Sequence, residues 1–69
     1  MKIAIGQRTK ELRTERGISQ VEMAQVLDIN DQSNYSKYET GKLSFTPEMI
    51  IKLSEFFNVT TDYILTGKE

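Results

Sequence analysis

Apolar residues recur every three or four positions along most of the chain, which is the spacing of amphipathic helices. The first helix is predicted from about Ile3 to Glu15. Its inward face is formed by Ile5, Thr9 and Leu12. Gly17 can take the left-handed backbone conformation that ends a helix, and Ile18 follows as the apolar residue of such a stop.

A second helix has the clearest start signal in the chain. In the run Ser19-Gln20-Val21-Glu22, the serine can accept from the third amide of the helix while the glutamate reaches back, which is a capping box. The inward face is Met23, Ala24 and Leu27, with Val21 and Val26 at the surface or rim. Asp28 should end this helix, because Asp tolerates the left-handed region better than most residues.

The third helix follows a turn, with either Asn30 or Asp31 as its N-cap, and runs to about Thr40. Tyr35, Tyr38 and Glu39 fall on one face. Gly41 provides the stop after it.

Two more helices are predicted in the last third of the chain. Thr46 caps the fourth, Pro47 occupies its first position, and Asn58 ends it. The expected inward stripe is Ile50, Leu53, Ser54 and Phe57. Thr60 caps the fifth, whose apolar part is Tyr63, Ile64 and Leu65, and Gly67 closes it. We therefore predict an all-α, compact bundle of five short helices, with residues 1–69 forming a single domain.

Composition narrows the chemistry. The 69 residues include neither cysteine nor histidine, which removes disulfides, the commonest metal ligands and the commonest general base. No glycine-rich phosphate loop or paired carboxylates suggest a reaction class. We therefore expect a protein that is not an enzyme and needs no metal or cofactor. No signal peptide or membrane span is recognisable, so we expect a cytoplasmic location.

The net charge of −1 argues mildly against a nucleic-acid partner, since domains that bind nucleic acids are often strongly basic. The distribution of charge along the chain is more favourable to a nucleic-acid partner. Seven basic and six acidic residues lie up to Lys42, against two basic and four acidic beyond it. If the first part of the chain forms a neutral-to-basic front face and the rest an acidic rear face, the front face can still bind phosphate locally.

The second and third helices, residues 20–40, have the pattern of a helix-turn-helix. Ala24 is the small residue that lets two steeply crossing helices approach closely. Ile29, just past the turn, and Tyr35 would fill the wedge between them. The order of cap, small residue, turn, wedge residues and second helix indicates a DNA-binding role more strongly than any one of these signals.

On these residues the chain resembles the lambda-repressor/Cro family, also called the xenobiotic-response-element family. The resemblance spans about Ile5 to Leu65. It rests on Ile5-Gly6, Leu12-Arg13, Gly17-Ile18-Ser19-Gln20, Met23-Ala24, Leu27, Tyr38-Glu39, Gly41-Lys42 and the run from Asn58-Val59-Thr60 to Ile64-Leu65. It implies a five-helix bundle, double-stranded operator DNA as ligand, transcriptional regulation and a homodimer on a near-palindromic site.

Two departures from the family pattern concern the turn. Asp28 stands where the family usually has glycine. The stretch from Ile29 to Tyr38 is one residue longer than the family norm, and we place the extra residue at Asn30 or Asp31. The register of the recognition helix is therefore open by about one residue at its N-terminal end.

The helical wheel predicts which side chains face DNA. With the Tyr35 face inward, Ser33, Ser36 and Lys37 point outward, Gln32 leads at the tip, and Asn34 lies at the edge. Family base-reading positions map onto Gln32, Ser33 and Lys37. Gln or Asn can pair with adenine, and Lys can pair with guanine.

Phosphate contacts are expected from Gln20, which matches the family's phosphate-binding glutamine, and from Lys42 and Ser44. The resemblance also implies an ion pair of Arg13 with Glu39 that aligns the recognition helix. Without that context, the pair could be a surface contact of little consequence.

Four apolar residues have no assigned place in the core: Met49, Phe56, Tyr63 and Phe45. They are either gap-fillers of a wide core face or a dimer interface. For the whole chain we weigh three functions: a repressor or other regulator acting as a dimer, the N-terminal DNA-binding piece of a longer repressor, and a protein-interaction module of the same fold.

Overall fold

In a computed structural model that describes residues 4–68, the chain forms five helices. They are α1 (Ala4–Glu15), α2 (Gln20–Val26), α3 (Gln32–Glu39), α4 (Pro47–Phe57) and α5 (Thr61–Thr66). The described range contains no strand, so the all-α prediction is confirmed. Ile3, the predicted start of the first helix, lies outside it. None of these helices combines the length and the apolar character needed to cross a bilayer.

Four helices begin at side-chain caps. Ser19, Asp31, Thr46 and Thr60 each accept a hydrogen bond from the backbone N–H three residues further on. Such a bond satisfies an amide that the helix itself leaves unpaired. The capping box of α2 is complete, because the Ser19 N–H also donates to Glu22 Oε1 at 3.1 Å. Of the two alternatives for α3, Asp31 is the N-cap.

Two reversals use non-glycine residues in the left-handed region. Asp28 has φ 58° after α2, and Asn58 has φ 58° after α4. Both are residue types that enter this region at lower cost than most. The predicted helix end at Asp28 is therefore confirmed in its geometry, although α2 itself stops two residues earlier.

The core gathers residues from every helix. It contains Leu12, Met23, Ala24, Leu27, Tyr35, Met49, Leu53, Phe57 and Ile64. Buried among them, Thr9 donates its hydroxyl to the Ile5 carbonyl at 2.8 Å, so it leaves no unpaired polar group. Ala24 is 4% exposed and Tyr35 is fully buried, as the helix-turn-helix pattern predicts.

The predicted inward stripe of α4 is partly wrong. Its buried line is Met49, Leu53 and Phe57, while Ile50 and Ser54 are only half-buried. The three buried residues are spaced four apart, so they form one straight ridge of the helix, and α5 packs against α4. Met49, at 9% exposure, is therefore a core residue with little side-chain surface left for a second protomer.

The end of α5 is fastened to α1. Arg8 Nη1 donates to the Ile64 carbonyl at 2.6 Å, which places a cation at the C-terminal end of α5 where carbonyls are unpaired. The same guanidinium packs against Gly67. This contact brings the two ends of the described chain together.

Candidate nucleic-acid interface

A shallow surface depression of about 500 Å³ lies where α2, α3 and the following loop meet. Its lining is polar and cationic: Gln20, Gln32, Ser33, Ser36, Lys37, Thr40 and Lys42. Four of the five predicted base-contacting residues and two of the three predicted phosphate-contacting residues are therefore brought together. Their burial agrees with the wheel, since Gln32, Ser33 and Lys37 are exposed and Ser36 is half-buried.

Two predicted contact residues lie outside this depression. Asn34 is half-buried, and its backbone N–H is bound to the Asp31 side chain. Ser44 is exposed and lines an adjoining groove with Leu43 and Phe45, which shares Gln20, Ser36 and Thr40 with the depression. Thr40 is a lining residue that sequence reasoning missed. Its position four residues after Ser36, on the same face of the helix, is the signal that could have found it.

The predicted pairing of Arg13 with Glu39 is confirmed. Arg13 Nε donates to Glu39 Oε2 at 2.7 Å, and Nη2 donates to Oε1 at 3.2 Å, so the contact is bidentate. The two side chains are 11% and 3% exposed. This is a largely buried pair rather than a surface contact, and it ties α1 to the last turn of α3.

The Glu39 carboxylate has two further donors. The buried Tyr35 hydroxyl donates to Oε2 at 2.6 Å, a role that its predicted place in the wedge did not include. Gln20 Nε2 donates to Oε1 at 3.0 Å. The carboxylate thus connects α1, α2 and α3 through hydrogen bonds to its two oxygens.

From Glu39 the hydrogen bonds continue to the exposed tip of α3. A carboxylate only accepts, so Gln20 must present its N–H₂ to Glu39 and turn its carbonyl outward. That carbonyl accepts from Gln32 Nε2 at 3.0 Å. The amide of Gln32 is oriented in turn, with its carbonyl oxygen and its second N–H left for a ligand.

The network also determines the ionisation of its members. Burial raises the pKa of the Glu39 carboxyl, but the hydrogen bonds from Arg13, Tyr35 and Gln20 outweigh it and hold the pKa below 4.5. Burial, followed by the hydrogen bond to Glu39, raises the pKa of Tyr35. The hydrogen bond to Glu39 raises the pKa of Arg13. At neutral pH the site is a carboxylate held by a guanidinium and a neutral phenol.

A pH dependence follows from the lowered pKa of Glu39. A carboxyl whose pKa is lower in the folded state stabilises the fold above its unfolded pKa of about 4.5, and that contribution is lost as pH falls through the folded value. We expect the urea concentration at the unfolding midpoint to decrease as the pH is lowered below about 4.5. The pKa of exposed Asp31 is also lowered, chiefly by its hydrogen bond from the Asn34 backbone, so an Asp31→Asn background isolates the Glu39 contribution. A flat midpoint from pH 5 to pH 3 in that background would contradict this prediction.

Close backbone contact also positions α3. A Cβ added at Gly6 would overlap the Glu39 carbonyl oxygen and lie 2.7 Å from that of Tyr38. The backbone of α1 therefore touches the C-terminal carbonyls of α3. Sequence reasoning did not assign this role, although an isolated glycine inside a helix is itself a sign of a packing constraint.

The remaining candidates for a dimer interface differ in exposure. Phe56 is 43% exposed, whereas Phe45 and Tyr63 are half-buried and pack against the core. Phe45 also lies against Tyr38, with ring centroids 5.3 Å apart. Only Phe56 offers a large, exposed aromatic surface among the four.

The chain is similar to known helix-turn-helix proteins. A helix-turn-helix family model matches residues 10–64. The SPbeta prophage-derived uncharacterized HTH-type transcriptional regulator YonR of Bacillus subtilis (strain 168) is 44% identical over 62 residues, covering 90% of this chain and 56% of that protein. The HTH-type transcriptional regulator ImmR of the same organism is 39% identical over 67 residues, covering 97% and 51%.

A third relative and a solved structure extend the comparison. The HTH-type transcriptional activator BcrR of Enterococcus faecalis is 33% identical over 63 residues, covering 91% of this chain and 30% of that protein. The P22 c2 repressor protein, solved with synthetic operator 9T in the presence of Tl⁺, superposes with a TM-score of 0.80 at 22% identity, covering 93% and 96% of the two chains. This likeness shows the fold. The chain spans about half the length of YonR and ImmR.

Proposed function

The chain belongs to the Cro/C1-type helix-turn-helix family, and on that premise we propose that it is a sequence-specific DNA-binding transcriptional regulator that reads operator DNA with α3 in the major groove. The observation that carries the proposal is the hydrogen-bonded path from buried Arg13 through Glu39 and Gln20 to exposed Gln32. A buried ion pair anchors a glutamine side chain at the tip of the helix. Preorganised polar groups at an exposed helix tip suit base recognition, where each hydrogen bond must match a base edge.

The individual roles follow from donor and acceptor geometry. Gln32 has an amide carbonyl and an N–H free to pair with adenine N6 and N7. Lys37 can donate to guanine O6 and N7, while Ser33 and Ser36 lie beside it on the same wall. Lys42 is placed to contact a phosphate, and Gln20 contributes from the start of α2. Asn34 and Ser44 are weaker candidates, because both lie outside the depression.

We further propose that the regulator is a repressor acting as a homodimer in the cytoplasm. The name of the structural neighbour supports repression, whereas BcrR is named an activator, so the direction of regulation is a property to be measured. A dimer would double the phosphate and base contacts of a small domain whose net charge is −1. Exposed Phe56 is the candidate contact between copies.

Salt dependence of duplex binding tests the proposal. DNA binding releases counterions, so the association constant for a random duplex should fall as salt rises. Absence of duplex binding even at low salt would overturn the regulator function and favour a protein-interaction module, with which the net charge is also compatible. Selection from a randomised duplex library would then identify the operator.

Two alanine substitutions should separate base reading from phosphate binding. Gln32→Ala should relax preference at one or two base pairs, with about 1–3 kcal/mol of discrimination lost at the affected pair. Lys42→Ala should weaken binding to all sequences about equally and reduce the salt slope by about one. Both are measured by titration against the selected operator and its single-base variants. A changed base preference in Lys42→Ala would show that the register assigned to α3 is wrong.

A further inference from the structure

Ser33 makes a side-chain contact that restricts what it can do at the DNA surface. Its Oγ lies 2.8 Å from Asp31 Oδ1. Ser33 is exposed and lines the depression beside Gln32 and Lys37. A serine hydroxyl has one proton to donate and two lone pairs to accept with, so the direction of this one bond determines what remains.

The direction is set by the chemistry of Asp31. Its Oδ1 also accepts from the Asn34 backbone N–H at 2.9 Å, as the N-cap of α3. The hydrogen bonds from Asn34 and Ser33 lower the pKa of this carboxyl, so it is ionised at neutral pH. An ionised carboxylate has no proton to give. Ser33 must therefore be the donor, and its proton is committed within the protein.

We propose that Asp31, by taking the proton of Ser33, makes Ser33 an acceptor-only reader that selects bases carrying an amino group in the major groove. The proposal rests on the proposed function and deepens it. Adenine N6 and cytosine N4 donate in the major groove, whereas guanine and thymine present acceptors at the corresponding positions. Ser33 would thus prefer adenine or cytosine over guanine or thymine on one strand, next to the base pair read by Gln32.

The neighbouring side chain of Gln32 is oriented by a different set of hydrogen bonds. Gln32 is oriented through Gln20 and Glu39, whereas Ser33 is oriented through Asp31. The tip of α3 therefore presents adjacent groups of defined polarity, one amide with a free donor and acceptor and one hydroxyl with acceptors only. A freely rotating serine could pair with any base and would carry little sequence information.

Three variants separate the possible causes of such a preference. Ser33→Ala removes the hydroxyl that would accept a hydrogen bond from the base. Asp31→Gly removes the acceptor that orients Ser33, and glycine is an acceptable N-cap, so α3 should lose only a few tenths of a kcal/mol. Asp31→Asn is the matched control, since its carbonyl can still accept from Ser33 and cap the helix while its charge is gone. Thermal unfolding of each variant checks that the fold is retained.

The readout is affinity for the selected operator and for its three single-base variants at each position. The wild-type chain should favour adenine and cytosine about 3- to 10-fold at one position, the contribution of one neutral hydrogen bond. That preference should vanish in Ser33→Ala and in Asp31→Gly, and it should persist in Asp31→Asn. Asp31→Asn should also bind every sequence more tightly at low salt, because a negative charge near phosphates is removed.

Several results would overturn the inference. Retained preference in Ser33→Ala would mean that another group, Asp31 itself included, reads the amine. Retained preference in Asp31→Gly would mean that Asp31 does not set the polarity of Ser33. Equal affinity of the wild-type chain for all four bases at every position next to the Gln32 contact would remove the effect altogether. In each of these cases the chain still binds the operator, whereas failure of the proposed function would show as no salt-dependent duplex binding.

Discussion

Gly6→Ala should destabilise the domain by about 1–3 kcal/mol or more and weaken operator binding beyond the loss of folded protein. Helix propensity alone predicts the opposite sign, since alanine is favoured over glycine inside a helix by about 1 kcal/mol. Sterics should dominate because the added Cβ meets backbone carbonyls of Tyr38 and Glu39, which cannot rotate away as a flexible side chain would. Relief requires α1 and α3 to separate, which moves Arg13 away from Glu39. Urea unfolding and duplex titration measure the two effects.

Two neighbouring substitutions control for this prediction. Gln7→Ala changes an exposed residue of the same helix and should alter stability by no more than about 0.5 kcal/mol. Gly17→Ala places a Cβ in open space at φ 68°, so it should cost about 1–2 kcal/mol of backbone strain without displacing α3. The folded fraction of that variant should bind the operator as the wild-type chain does. A Gly6→Ala protein as stable as the wild type would contradict the close-contact argument.

The features that sequence analysis predicted well are those determined within a few residues. Ser19, Thr46 and Thr60 were identified as caps because a cap needs only its own side chain and an amide three residues away. The left-handed residue at Asp28 was predicted on the same local basis. The sequence pattern does not decide between Asn30 and Asp31, since both residue types cap equally well and only the path of the turn distinguishes them.

Features that depend on how helices meet were predicted less well. Helix α4 has two overlapping apolar stripes, and the one that packs inward, Met49–Leu53–Phe57, is determined by where α5 lies. The local pattern does not contain that information. Gly6 stands out in the sequence only as part of a family resemblance. Its structural role is to leave room for the carbonyls at the end of α3, and that contact exists only once the helices have packed.

The residues of the candidate site also divide into those predicted from a local pattern and those that depend on contacts between helices. Its members on α3 follow from the helical wheel, and Arg13 with Glu39 followed from the resemblance. The hydrogen bonds that join Glu39 to Gln20 and Gln20 to Gln32 span residues 12 to 19 apart, so no local rule predicts them. These long-range bonds also give the amides a direction, which residue identity alone leaves undetermined.

Glu39→Ala should be among the most destabilising substitutions at this site, at about 3–5 kcal/mol, because it leaves the guanidinium of Arg13 largely buried without its partner. The Tyr35 hydroxyl, in a fully buried side chain, would lose its acceptor as well. Stability of small domains is commonly about 0.05–0.15 kcal/mol per residue, which is about 3–10 kcal/mol for 69 residues, so this loss removes a large share of the free energy of unfolding. Loss of operator binding in that variant would therefore not separate a positioning role from unfolding. Urea denaturation followed by circular dichroism measures the loss.

A triple variant, Arg13→Met with Tyr35→Phe and Glu39→Leu, should separate the positioning role of Glu39 from its contribution to stability. Apolar groups of similar volume often replace a buried ion pair with no loss of stability, so the urea midpoint should recover most of the loss, apart from the contribution of the Arg13 hydrogen bond to the Ile18 carbonyl. Operator recognition should not recover, because Gln20 has lost the carboxylate that directs its amide toward Gln32. Discrimination at the Gln32 base pair should fall about tenfold while the salt slope stays unchanged, since no phosphate contact has been removed. Full discrimination in a stable triple variant would show that Gln32 needs no anchoring, and the ion pair would then serve the fold alone.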